Sequence, residues 1–326
     1  GEYSINSSDF SPQAGSCFET STSGSASGGW IAVIGYGTSI DDQQPIVLRR
    51  TLSPNIGTSS GQDSGIYIDN SYWVFANIIV VADELVPEDD TTGTASGFVL
   101  ATSNIALVNC AARGWSYGFW SATSGASHTF VGCRAEGNQR NGFHTNANTG
   151  VAPLYVNCVS QGNGFPGSPN FLADGFFVDD GDQPTYVGCV AAANSRHGFH
   201  TFGGSTDYPR FVNCTAHANA NDGFHVEMGQ EFASFVHCVA SRNGGAGIEP
   251  GTQKYEGGIL AVYSALNPTN EENTGGAYGS RLSTSPASAS PAPGGIIQIG
   301  PVSGDPQYAA SGASPYTGAD LEPNAS

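Results

Sequence analysis

Six of the seven histidines fall between His128 and His225, and four of them keep a fixed offset from a recurring Gly-Phe or Gly-Phe-like step. His144, His200 and His225 stand two residues after the Gly, and His197 stands one before it, in the position that Asp174 and Asp222 occupy on neighbouring steps. Trp120 and Phe177 share the two-after position, Asp179, Phe202 and Glu227 lie four after, and Arg140 and Arg196 lie two before. Carboxylates and imidazoles transfer protons near neutral pH, guanidinium groups neutralise carboxylates, and flat aromatic faces stack on pyranose rings. Asp174, His197, Asp222, His200 and His225 are therefore the candidates for catalysis. Trp120, Arg140, His144, Phe177, Arg196, Phe202 and Glu227 are the candidates for holding a substrate.

Such offsets mean something only if the backbone returns to the same place at each step. Cys110, Cys133, Cys158, Cys189, Cys214 and Cys238 recur at intervals near 24 residues, one interval being longer, and Asn or Gly precedes all but the last, which follows His237. Asn and Gly tolerate a left-handed backbone, so this column predicts a bend. Five residues on comes a second column, Trp115, Asn138, Asn163, Asn194, Asn219 and Asn243, where stacked amides hydrogen-bond along an axis. The Gly-Phe column follows at Phe98, Phe119, Phe143, Phe176, Phe199 and Phe224. Three short strands and two tight bends per repeat predict an all-β, right-handed parallel β-helix of about 10 coils of roughly 24 residues, with coils about 4.8 Å apart. No single coil buries its own apolar face, so the Phe and Cys columns become one continuous core. That spacing sets in-register cysteines too far apart for disulfides, which need Cβ atoms about 3.5–4.5 Å apart, and free thiols are expected. Cys17 has no partner in the pattern.

Composition agrees. Gly 45 with only 12% charged residues describes turns and short strands rather than surface helices. The net charge of -18 repels nucleic acid and anionic membranes, and no apolar run is long enough for a membrane span. Residues 1–28 are expected to form an irregular N-terminal cap and 29–265 the β-helix. Residues 266–326, rich in Ser, Pro and Gly, are expected to pack on the solenoid or trail from it.

The stacked Asn-Cys-x-Ala and Asn-x-x-x-Gly-Phe units resemble the pectin-lyase-like right-handed β-helix superfamily over roughly residues 29–265. That resemblance implies a fold shared by polysaccharide lyases, hydrolases, epimerases, tailspikes and adhesins. Asp174 to Asp180 also looks like the Asp-Gly segment of the polygalacturonase family, and Arg196-His197-Gly198 is similar to a second of its segments. On two-coil spacing Asp174 and Asp222 stand about 9.6 Å apart, near the roughly 6.5–9.5 Å of an inverting hydrolase. A lyase would instead draw its base and positive charge from Arg140, Arg196, His200 or His225. The residues demand no cofactor, but Asp179, Asp180 and Asp182 offer hard oxygen ligands for Ca²⁺. Zinc is disfavoured, because His144 stands two coils from His200. An eight-residue insertion around Phe165 to Leu172, directly before Asp174, is expected to wall a groove. The leading expectation is a secreted, cell-surface or virion protein whose central coils bind a polysaccharide and cleave it. The competing one is a structural β-helix such as a viral appendage, surface fibre or adhesin, assembling as a homotrimer or fibre, whose polar strip only keeps the sheet soluble.

Overall fold

The computed structural model describes residues 18–20, 23–35, 46–50, 64–82, 95–122, 127–146, 153–164, 173–179, 183–202, 209–226, 233–250, 259–260 and 263–265. Among them there is no helix. Short strands build three sheets of nine, every third strand joins the same sheet, and all the strand pairings are parallel. One coil runs Phe176–Asp179, Thr185–Val187 and Val190–Ala192 before the next opens at Phe199–Phe202. The chain is thus a parallel β-helix of nine described coils, close to the ten expected. The pairing of Phe18–Glu19 with Ile66 and Tyr67 starts the solenoid inside the segment expected to be a cap. Cys17 and residues 266–326 lie outside the described residues.

The Phe column stacks in register, with ring centroids 4.9, 4.6, 4.7, 4.8 and 4.9 Å apart from Phe98 to Phe224. A second stack, Phe130, Tyr155, Tyr186, Phe211 and Phe235, rises from the next sheet at 4.8–5.0 Å and meets the first edge to face. Its signal is present in the sequence, an aromatic three residues before each cysteine from Cys133 to Cys238, but sequence reasoning missed it. Stacked and edge-to-face rings each add about 0.5–1.5 kcal/mol beyond area burial, so the crossed ladders carry much of the core.

Both bends are as expected in place and differ in detail. Asn109, Gly132, Asn157, Gly188, Asn213 and His237 all take φ between 50° and 63°, so even the histidine obeys the column. At the second bend the left-handed residue is the one before the Asn column, and Ala193, Ala218 and Arg242 fill it at φ 53°, 53° and 57°. Each costs about 1–2 kcal/mol, a strain that the amide ladder beside it offsets. In that ladder Asn194 Oδ1 accepts from Asn163 N and Nδ2, and Asn219 Oδ1 accepts from Asn194 N and Nδ2. Gly198 shows why the next column needs glycine: a Cβ there would lie 2.6 Å from Gly223 O and 2.8 Å from Asn219 Nδ2.

The six column cysteines are free thiols and fully buried. Each donates weakly to carbonyls, as Cys189 Sγ does to Tyr155 O at 3.4 Å, and burial pushes the Cys133, Cys189 and Cys238 thiols up. These six are expected to resist a thiol-labelling reagent until the protein unfolds, and added reductant should leave the melting temperature unchanged. Rapid labelling of more than one thiol in the native state would contradict that.

Candidate functional site

The Gly-Phe sheet alternates its side chains, so with the Phe column inside, the residues after it face away from the core. Trp120, His144, Phe177, His200, His225 and Glu249 pair in register on six successive strands. Neighbouring rings touch along this line: His144 to Phe177 at 5.0 Å, Phe177 to His200 at 4.9 Å and His200 to His225 at 4.9 Å. Beside it, Asp179 and Phe202 pair in register, and the Phe202 ring is 44% exposed.

The residues before each Gly form a second line, and its geometry is a relay. Asn141 Oδ1 accepts the Asp174 amide at 2.8 Å, Asp174 Oδ1 the His197 amide at 3.0 Å, and Asp222 Oδ1 the Ala246 amide at 2.7 Å. The remaining polar atoms turn to the imidazoles. Asp174 Oδ2 lies 2.8 Å from His200 Nδ1 and 3.5 Å from Arg196 Nη1. Asp222 Oδ2 is shared by His225 Nδ1 at 2.9 Å and His197 Nδ1 at 3.0 Å, and those two rings stack at 4.1 Å. His197 Nδ1 is also 3.2 Å from the Asp222 amide, which it accepts when it carries no proton.

Burial would raise both carboxyls, but the imidazole hydrogen bonds outweigh it and hold Asp174 and Asp222 below the ordinary carboxylate range. An ionised carboxylate only accepts, so His225 and His200 each carry a proton on Nδ1. Burial pushes His197 below the ordinary imidazole range against the pull of Asp222. His144, whose Nδ1 meets Asn141 Nδ2 at 3.0 Å, is pushed down to about 4 by burial.

A sequence profile describing the right-handed β-helix region matches residues 96–265. The chain belongs to that family. A solved structure, the crystal structure of pectate lyase Pel9A, is similar over 90% of this chain and 80% of its own, at 16% identity and a TM-score of 0.42. No curated protein matches the sequence.

The β-helix brings the five candidates for catalysis together but corrects where they stand. Asp174, His197 and His200 are 1%, 4% and 2% exposed, not on an open strip. The physical reason is the relay: the side chain before each Gly folds along the bend to accept the next amide, which draws the paired imidazole in with it. Asp222 and His225 are the accessible members, at 14% and 20% side-chain exposure. His197 stands between Asp174 and Asp222, its amide donating to Asp174 Oδ1 and its Nδ1 lying 3.0 Å from Asp222 Oδ2. His197, His200 and His225 crowd together, their ring centroids 4.1–5.0 Å apart, and His144 is not one of that group. Arg140 Nη1 donates to Tyr117 Oη at 3.2 Å and lies 5.7 Å from that ring, while Tyr117 edges His144 at 4.7 Å. Tyr117 stands immediately before Gly118 and is not among the candidates read from the sequence. Asp179 ends the strand Phe176–Asp179, and Asp180, Asp182, Glu227 and the 165–172 insertion lie outside the described residues. No helix among the described residues is long and apolar enough to cross a membrane.

Proposed function

We propose that this β-helix binds a polysaccharide along the Trp120, Phe177 and Phe202 side of the Gly-Phe sheet and cleaves it, with His225 as the proton-transfer group oriented by Asp222. What supports this is one observation: a line of aromatic and imidazole rings on consecutive coils that runs past Asp222–His225, a carboxylate–imidazole pair partly open to solvent. Asp222 fixes the tautomer of His225, as a carboxylate orients a general base elsewhere. Asp174, His200 and His197 act behind it as positioning residues, and Arg196 and Arg140 supply positive charge for an acidic sugar. A secreted or surface location belongs to the same reading, and so does Ca²⁺ as a substrate-side ion.

The test is incubation with a panel of neutral and uronic polysaccharides, with Ca²⁺ and after EDTA, following the ultraviolet absorbance of an unsaturated product and the appearance of reducing ends. Both signals rising together mean elimination; reducing ends alone mean hydrolysis. Asp222→Asn keeps an acceptor for the Ala246 amide and is expected to fold, yet lose about 10²–10⁴-fold in rate. Full activity in Asp222→Asn and in His225→Gln would remove this pair from the reaction. Silence across the panel, with assembly in sedimentation, would favour the structural fibre.

A further inference from the structure

We propose that His197, Asp222 and His225 form a binding site for a divalent transition ion of the zinc class. One ligand atom from each of the three lies within 4.8 Å of the others, two imidazoles and one carboxylate. Two of the three ligand-to-ligand contacts are near coordination spacing: Asp222 Oδ2 is 3.0 Å from His197 Nδ1 and 2.9 Å from His225 Nδ1. An ion with bonds of about 2.0–2.1 Å in a tetrahedral field spreads its ligands to roughly 3.3 Å, so these two contacts open by a few tenths of an ångström, while the stacked rings of His197 and His225 turn to bring both nitrogens onto the ion. The proton now held between carboxylate and imidazole is what the ion replaces.

Three further features point the same way. The donor set of imidazole nitrogen and one carboxylate suits zinc and its neighbours in the series, whereas Ca²⁺ takes oxygen alone. The carboxylate is braced from outside, its Oδ1 accepting the Ala246 amide at 2.7 Å, as outer partners brace ligands in metal centres. The three side chains are 5%, 14% and 20% exposed, dry enough to hold an ion and open enough to admit one. Behind them Asp174, His197 and His200 make a second group of the same composition that shares His197. One ion per chain is expected, at the more accessible group.

This proposal shares Asp222 and His225 with the cleavage reading, and a bound ion takes the place of their hydrogen bond, but it is read from metal binding with no sugar present, so the failure of one is distinguishable from the failure of the other. Tag-free full-length protein, stripped with EDTA and exchanged into metal-free buffer, is titrated with Zn²⁺ in a calorimeter and with Co²⁺ in a spectrophotometer. Expected are one ion per chain, a dissociation constant below about 10 µM, and the intense visible absorption of four-coordinate Co²⁺. Asp222→Asn and His225→Gln should each weaken binding by at least about 100-fold, while His217→Gln, on another sheet, should leave it unchanged. Excess Ca²⁺ should not displace the ion. Absent binding, the weak absorption of six-coordinate Co²⁺ in the unaltered protein, equal affinity in both site variants, or an equal loss in His217→Gln would each overturn the proposal.

Discussion

Replacing Asn194 with alanine should cost the solenoid about 3 kcal/mol, and the loss should register as a fall of roughly 6–12 °C in melting temperature. Asn194 lies in the middle of the amide ladder and is 1% exposed. Its Oδ1 receives both the backbone N and the Nδ2 of Asn163, at 3.2 and 2.9 Å, and its Nδ2 donates to Ser160 O at 3.2 Å. Asn163 Nδ2 has other acceptors in Ala135 O and Ser160 Oγ, so the amide N–H of Asn163 is what alanine would strand without water. An unmet buried donor costs about 1–3 kcal/mol, and the lost bonds add to it. The left-handed Ala193 beside it loses the contact that offsets its strain. Asn194→Asp, whose second carboxylate oxygen would face the acceptors Ser160 O and Asn219 Oδ1 away from water, should lose at least as much as Asn194→Ala. A thermal melt of the three proteins decides the matter, and a shift in the alanine variant below about 2 °C would show that the ladder follows the fold without supporting it.

The protein should also lose stability steadily as pH falls below about 6.5, through a residue that is not one of the site candidates. His128 is 1% exposed, its Nε2 meets Ser121 Oγ at 3.1 Å, and its Nδ1 has no hydrogen-bond partner among the described residues. Burial holds it down to about 3, so the folded chain keeps this ring neutral where the unfolded chain protonates it near 6.5. The unfolded state therefore binds the extra proton, and stability present above pH 6.5 is lost as pH falls towards 3. At pH 5 the loss is about 2 kcal/mol, from roughly 1.5 pH units at about 1.4 kcal/mol each. His144, pushed down to about 4, adds a loss of the same sign. Denaturant titrations at pH 7 and pH 5 measure the difference directly. His128→Gln should flatten that difference by about 2 kcal/mol, and because the remaining charges are common to both proteins, an unchanged pH dependence would reject His128 as the source.

The period was legible because a parallel β-helix writes its geometry into sequence. Each coil must bend at the same two places, so Asn and Gly precede the cysteines, amides stack at Asn138 to Asn243, and glycine recurs where no Cβ fits against the next coil. From those columns alone follow the strands, the Phe ladder, the free cysteines and the register that sets Trp120, His144, Phe177, His200 and His225 on one line. The second aromatic stack was equally readable, as an aromatic three residues before each cysteine from Cys133 to Cys238.

What the columns leave open is which neighbour a side chain chooses. With coils about 4.8 Å apart, a residue before the Gly reaches either its own strand or the next with similar ease. Asp222 takes His225 of its own coil, whereas Asp174 has Phe177 in the corresponding place and turns to His200 of the coil that follows. His197, left without that carboxylate, leans on Asp222 instead. Periodicity assigns each residue a column and a coil. Only the packed solenoid decides that two carboxylates and three imidazoles close into one cluster, and that Asp174, His197 and His200 sink from the surface while Asp222 and His225 stay within reach of solvent.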